Sequence, residues 1–199
     1  GCYITESSEH AAEYLPYYIK DRCPELIKEF RIPLDEYPRR CRAQIKAWKA
    51  ARFFLTFKRR LSHRKTHEFG SYIIKAAVEN KPYKFNGSVL NKGGIISNLP
   101  DYACVEVPLT VDRDGFHVEK FGRLPEELAF LNRTNINVQM MTILAAKERK
   151  MEYVYMAAAL DPHTSAELTV DRIKALCDDL YEAHHRGGWM PSYNNALPG

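Results

Sequence analysis

Thr5-Glu6-Ser7-Ser8-Glu9-His10-Ala11-Ala12-Glu13-Tyr14-Leu15-Pro16-Tyr17-Tyr18 sets carboxylates, hydroxyls, an imidazole and phenols side by side, with few apolar side chains between them. Read as a helix start, Ser7 or Ser8 caps and Glu9 enters the first turn, where the helix dipole favours a carboxylate. Helical spacing then puts Glu6, Glu9, His10 and Glu13 on one face. Such a face has two readings. It is a capped, solvated acidic helix, or a surface that holds a polyhydroxylated substrate and transfers protons. The second needs groups of tunable pKa within hydrogen-bond reach, and those residue types supply them.

The rest of the chain must position that stretch. Its 199 residues, 45% hydrophobic, can bury one sizeable core and predict one domain. With 29 basic against 25 acidic residues the net charge is only +4, which commits the chain to no nucleic-acid partner. No apolar run reaches the ~20 residues of a membrane span, and the polar start does not read as a signal peptide. Five scattered cysteines, Cys2, Cys23, Cys41, Cys104 and Cys177, fit reduced thiols in a cytoplasm better than a disulfide scaffold or a zinc site. The chain opens on Gly1, straight into its richest stretch, which reads as a segment of something longer.

Residues 25–30 predict a short helix. Pro33 and Pro38 predict an ordered, extended loop over 32–38, and from Arg39 a helix with Ile45, Trp48, Arg52 and Leu55 on one face. The basic run over 57–65 reads as a solvated face, and 68–78 as another helix. Segments 85–90 and 94–99, on either side of Asn91-Lys92-Gly93-Gly94, then 105–111 and 116–121 predict a small antiparallel sheet, with turns at 91–94 and 112–115. Pro108 places its strand at an edge or a bulge. Glu106, between Val105 and Val107, needs a partner if it faces the core. Pro125-Glu126-Glu127 opens a long helix with Leu128, Leu131, Asn135, Val138 and Thr142 on one face and Asn132, Arg133, Thr134 and Asn137 beside it. Residues 153–160 form the next helix. Thr169 caps the last, which turns Ile173, Leu176, Cys177 and Leu180 inward. His184-His185 followed by Gly187-Gly188 reads as a helix end rather than a metal site. The fold class is therefore α+β, with helices packed on a small antiparallel sheet over 1–187 and a tail over 188–199.

Thr5-Glu6-Ser7-Ser8-Glu9-His10 with Glu13-Tyr14 and Pro16 resembles glycoside hydrolase family 4, in its α-galactosidase and α-glucosidase branch. The likeness runs on in order through Ile32-Pro33-Leu34-Asp35-Glu36-Tyr37-Pro38-Arg39-Arg40-Cys41, Asn98-Leu99-Pro100, Val105-Glu106-Val107-Pro108, Val111-Asp112, Thr134-Asn135-Ile136-Asn137-Val138-Gln139 and Leu160-Asp161-Pro162-His163-Thr164. Ser88, Gly70 and the basic stretch over 52–67 depart from the family pattern. The resemblance implies a C-terminal half like that of lactate and malate dehydrogenases, whose N-terminal NAD-binding domain is absent from this segment. It also implies chemistry unlike two-carboxylate hydrolysis: NAD oxidises the sugar at C3, a base removes the C2 proton, the glycosidic oxygen is eliminated, and water adds back. A divalent ion, usually Mn2+, polarises the oxygens.

Carried onto these residues, the resemblance makes Tyr3, Glu9 and His10 rival candidates for the base. Glu6, Ser8, Arg39, Arg40, Asn135 and Asn137 become candidates for binding sugar hydroxyls or ordering the site. The glycine-rich NAD loop and the family's Cys-His-Ser and Asn-His metal motifs do not occur here, so this segment alone is expected to bind neither NAD nor metal and to be inactive in isolation. The expected partners are an α-linked sugar, the upstream NAD-binding half and further copies in a cytoplasmic homo-oligomer, with no nucleic acid and no membrane. A second reading is a non-catalytic fragment or pseudoenzyme module that acts in subunit association.

Overall fold

Ser7 opens the first helix, α1 (Ser8–Tyr14), with its hydroxyl accepting the His10 N–H at 3.4 Å. The computed structural model describes residues 7–57 and 66–194, so Tyr3, Glu6, Cys2 and most of the basic run lie outside the described residues. After a turn come α2 (Glu25–Glu29) and α3 (Glu36–Thr56). The sequence predicts a loop through Pro38, yet Pro38 lies in the first turn of α3. Its missing N–H costs nothing there, because the first helical donors have no intrahelical acceptor. Nor does α3 bury the predicted face. None of its residues is buried, and Trp48 is 60% exposed.

The sheet follows α4 (Gly70–Glu79) and consists of β1 (Tyr83–Leu90), β2 (Cys104–Asp112) and β3 (Gly115–Val118), antiparallel in that order. Registers Phe85↔Leu109 and Val89↔Val105 put the odd-numbered residues of β1 and β2 on one face. There Val105, Val107, Leu109 and Val111 are buried, and Glu106 falls on the opposite side. Pro108 lies in the central strand, contrary to the predicted edge. β3 ends at Val118, and only the Pro108 carbonyl is used beyond it, accepting from Glu119 N at 3.2 Å. The imino nitrogen therefore faces a stretch with no ladder to break, so the strand is locally an edge.

Residues 94–99 do not form the predicted strand. They fold into a loop around Asn91, which is fully buried. Its Nδ2 donates to the Ile96 and Leu99 carbonyls at 2.9 Å each and its Oδ1 accepts the Ile96 N–H at 2.7 Å. The Asn91 backbone N–H meets the Ala103 carbonyl at 2.8 Å. Gly93 and Gly94, at φ +77° and +68°, make the turn a side chain would resist. The loop carries Ile96, Leu99 and Ala103 into the core against β2 and against Ala129 and Ile136 of α5 (Glu126–Glu148). The buried line of α5 is thus Ala129, Ile136 and Ala145 rather than the predicted Leu128-Leu131-Asn135-Val138-Thr142 face.

α6 (Met151–Leu160) packs on α5 and α8 (Val170–Arg186), with α7 (Pro162–Glu167) between them in sequence. α7 is unpredicted, because Asp161-Pro162 reads as a stop. Asp161 instead caps a new helix through Thr164 N at 2.7 Å, with Pro162 at its first position. On α8 Ile173 and Cys177 are buried, while Leu176 and Leu180 are exposed, correcting their inward assignment. Residues 188–194 run back along the bundle, with Asn194 N donating to the Arg149 carbonyl at 2.7 Å and Tyr193 N to the Tyr181 hydroxyl at 2.7 Å. Among the described residues no helix is long and apolar enough to cross a membrane.

Replacing Asn91 with Ala strands three buried backbone groups in the core. Urea unfolding of the Asn91→Ala chain should show a loss of about 2–4 kcal/mol with little change in m-value. A loss below about 1 kcal/mol would mean that the loop does not depend on this clamp.

Candidate functional site

Along α1 the ring and carboxylate that the spacing predicts do meet. His10 Nδ1 lies 2.9 Å from Glu13 Oε2, both side chains about half exposed. A carboxylate only accepts, so Nδ1 is the nitrogen that donates in this contact. Glu9 lies in the first turn, and Ser8 is the first helical residue, the cap having fallen to Ser7.

The helix is held from behind. It packs on α7, and the chain that follows it is clipped to the same helix. Lys20 Nζ donates to Glu167 Oε1 at 2.6 Å and Asp21 N to Glu167 Oε2 at 3.2 Å. The Lys20 bond, reinforced by the Asp21 N–H, holds the Glu167 carboxyl below the ordinary carboxylate range. One turn earlier on α7, His163 buries its Nδ1 with no hydrogen-bond partner.

The remaining candidates stand on other elements. Arg39 is exposed on α3 and pairs with Glu36 one turn earlier, and Arg40 is exposed on the same helix. Asn135 of α5 is half-buried in a cleft of about 360 Å³ between that helix and the edge of β2, whereas Asn137 is exposed and outside the cleft lining. The described residues therefore bring Glu9, His10 and Glu13 together. They do not join these to Arg39, Arg40, Asn135 or Asn137 through any shared packing, since α1 packs on α7, α5 on α6, and α3 substantially on neither.

Neither implied cofactor fits what is described. Among the described residues no group of three or more His, Cys, Asp or Glu side chains can hold a metal ion. The positive-φ pair Gly93-Gly94 leads into the Asn91 loop rather than a helix N-terminus, so no backbone cradle for a dinucleotide phosphate forms there.

Sequence reasoning missed a second polar cluster. Tyr155 of α6 donates to Asp178 Oδ1 of α8 at 2.5 Å, and Lys174 Nζ meets Asp178 Oδ2 at 2.6 Å. Lys174 and then Tyr155 lower the Asp178 carboxyl, while burial and then the Asp178 bond raise the phenol. Only the four-residue spacing of Lys174 and Asp178 was visible in sequence. The cluster borders a groove of about 830 Å³ with mainly apolar walls, including Met151, Met156 and Ile173.

Residues 1–164 match the family model for the family 4 glycosyl hydrolase C-terminal domain. The chain is 55% identical over 193 residues to an α-galactosidase of Bacillus subtilis, a match covering 97% of this chain and 44% of that protein. It spans less than half the length of the curated relatives it matches. Among solved structures, a Bacillus subtilis protein assigned as a glucosidase, LplD, superposes with a TM-score of 0.73 at 22% identity, covering 86% of this chain and 38% of that one. The Thermotoga maritima 6-phospho-β-glucosidase with manganese, NAD+ and glucose-6-phosphate gives a TM-score of 0.61 at 21% identity, covering 80% and 38%. These two likenesses establish the mixed fold, helices on a three-stranded antiparallel sheet.

The clip on α7 has a pH signature. A depressed carboxyl stabilises the fold above its ordinary value of 4.5, and that stabilisation is lost as pH falls through the lower folded value. Hydrogen exchange over residues 15–24, corrected for intrinsic rate, should be slow at neutral pH and accelerate below 4.5. Glu167→Gln should show the fast exchange already at neutral pH. Equal protection in the variant would mean that the clip does not hold this segment.

Proposed function

Because the chain belongs to the family 4 glycosyl hydrolases, through their C-terminal domain, we propose that it is the substrate-side, C-terminal portion of an α-galactosidase. The near full-length match to the Bacillus subtilis α-galactosidase carries this reading. The opening block favours unphosphorylated α-hexosides by resemblance. NAD and a divalent ion such as Mn2+, both present with the Thermotoga relative, are proposed to be held in the whole enzyme mainly by residues other than those described here. When bound, they supply redox and Lewis-acid chemistry to the whole enzyme.

The share proposed for this chain is to bind the sugar and to move a proton. His10, with Nδ1–H directed at Glu13, accepts a proton at Nε2; Glu9 and Tyr3 are its rivals for the same step, abstraction from sugar C2. Ser8, Glu6, Arg39, Arg40, Asn135 and Asn137 are proposed to bind hydroxyls or to order the site. The Arg39–Glu36 ion pair supports an ordering role for Arg39.

The exposed apolar residues of α3 and the α6–α8 groove support a second reading, docking of the upstream half and of further copies in a homo-oligomer. The two readings are compatible.

In the full-length enzyme, Tyr3→Phe, Glu9→Gln and His10→Ala should be compared with p-nitrophenyl α-galactoside and with a C2-deuterated substrate. General-base loss is worth ~10²–10⁴-fold, so one of the three should lower kcat by at least about 100-fold and enlarge the C2-deuterium isotope effect, while NAD binding survives. Three variants with unchanged rate and isotope effect would place the base elsewhere.

A further inference from the structure

We propose that α3 of one copy of this chain docks in the α6–α8 groove of a second copy, the two copies exchanging helices about a two-fold axis. The inference rests on the docking reading above and names its contact. α3 lacks a partner within the chain: none of its 21 residues is buried, and it packs substantially on no other described element. Cys41, Ile45, Trp48 and Leu55 follow one another at four, three and seven residues, so they form a single stripe. Ile45, Trp48 and Leu55 are each more than half exposed. A row of large apolar side chains left in water marks a surface that gains by being covered.

The groove complements that helix. Buried Met151 and Ile173 line it together with Met156 and Val170, both exposed, around a space of about 830 Å³. Apolar residues three, four and seven apart on one helix are the anchors that fill such a groove, with tryptophan a frequent centre of the contact. Charge favours the same occupant. α3 carries Arg39, Arg40, Arg42, Lys46, Lys49 and Arg52 against the carboxylate of Glu36. Of those six, Arg39 alone has an ion pair among the described residues. α6 and α8 reverse the balance, with Glu152, Asp171, Asp178, Asp179 and Glu182 against Arg172, Lys174 and Arg186. On the groove itself, Glu152 and Glu182 have long, solvated pairs, to Lys150 at 3.8 Å and Arg186 at 3.5 Å. Such pairs are worth little, so either carboxylate can turn to an incoming base. Lys174 is held by Asp178 at 2.6 Å. Because α3 does not pack on α6 or α8 of its own chain, a second copy supplies each face with its counterpart. Two-fold closure makes the contact twice and leaves neither face open.

The test is sedimentation velocity of the 199-residue chain over a concentration series, with Trp48→Arg on the helix side and Met156→Arg on the groove side. The wild-type chain should form a dimer that weakens as salt is raised. Each variant should weaken dimerisation at least about thirtyfold, as loss of a central anchor does. Both positions are exposed, so thermal transitions should not move. Mixed together, the two variants should form a heterodimer tighter than either makes alone, because Met156→Arg keeps an intact α3 and Trp48→Arg an intact groove. A chain that stays monomeric at every concentration overturns the contact and self-association together. A dimer that survives both substitutions, or variants that fail to complement each other, overturns the α3 contact and leaves self-association standing.

Discussion

The side chain of Asn91 holds the loop that closes the core. A buried carboxamide is costly unless satisfied, and this one is satisfied by carbonyls and an N–H of a segment that would otherwise have no regular structure. The consequences run outward. With Ile96 and Leu99 fixed against β2, Ser97 N reaches the Gly122 carbonyl at 2.7 Å and Phe121 N the Ile95 carbonyl at 3.0 Å. Asn98 then accepts the Leu124 N–H at 3.0 Å and donates to Glu126 at 3.1 Å, which ties down the start of α5. The phase of α5 follows, and with it the side of the helix on which Asn132, Asn135 and Gln139 emerge.

Local chemistry was legible in the sequence wherever it acts within a turn or two. The Ser7 cap, the His10–Glu13 spacing, the hairpin at 112–115 and the dipole-compensated end of α8 all follow from nearest neighbours. What the sequence concealed depends on contacts far along the chain. Asn91 reads as a turn residue beside two glycines, because nothing nearby reveals that its acceptors lie five and eight residues on. Pro108 reads as an edge because the length of β3, not that of β2, decides where the ladder stops. The apolar stripe of α3 follows helical periodicity, yet periodicity says only that a face wants burial, not that this segment supplies the partner.

The candidate site shows the same division. His10 and Glu13 meet because four residues of one helix bring them together, whereas Arg39, Arg40 and Asn137 stand on elements that the described residues do not gather around α1. Glu106 was singled out as a carboxylate in a strand, and the pleat of β2 exposes it on the face away from the buried Val105 and Val107. The chain spans less than half of its relatives' length and leaves α3 unburied, and the proposed function makes it one wall of a larger site.

That claim is tested most directly by grafting. Residues 1–194 would replace their counterpart in the Bacillus subtilis α-galactosidase, and hydrolysis of p-nitrophenyl α-galactoside would be measured with NAD and Mn2+ present. The account predicts turnover within about tenfold of the parent, since both walls would then be present. A folded, NAD-binding chimaera without α-galactosidase turnover would contradict it.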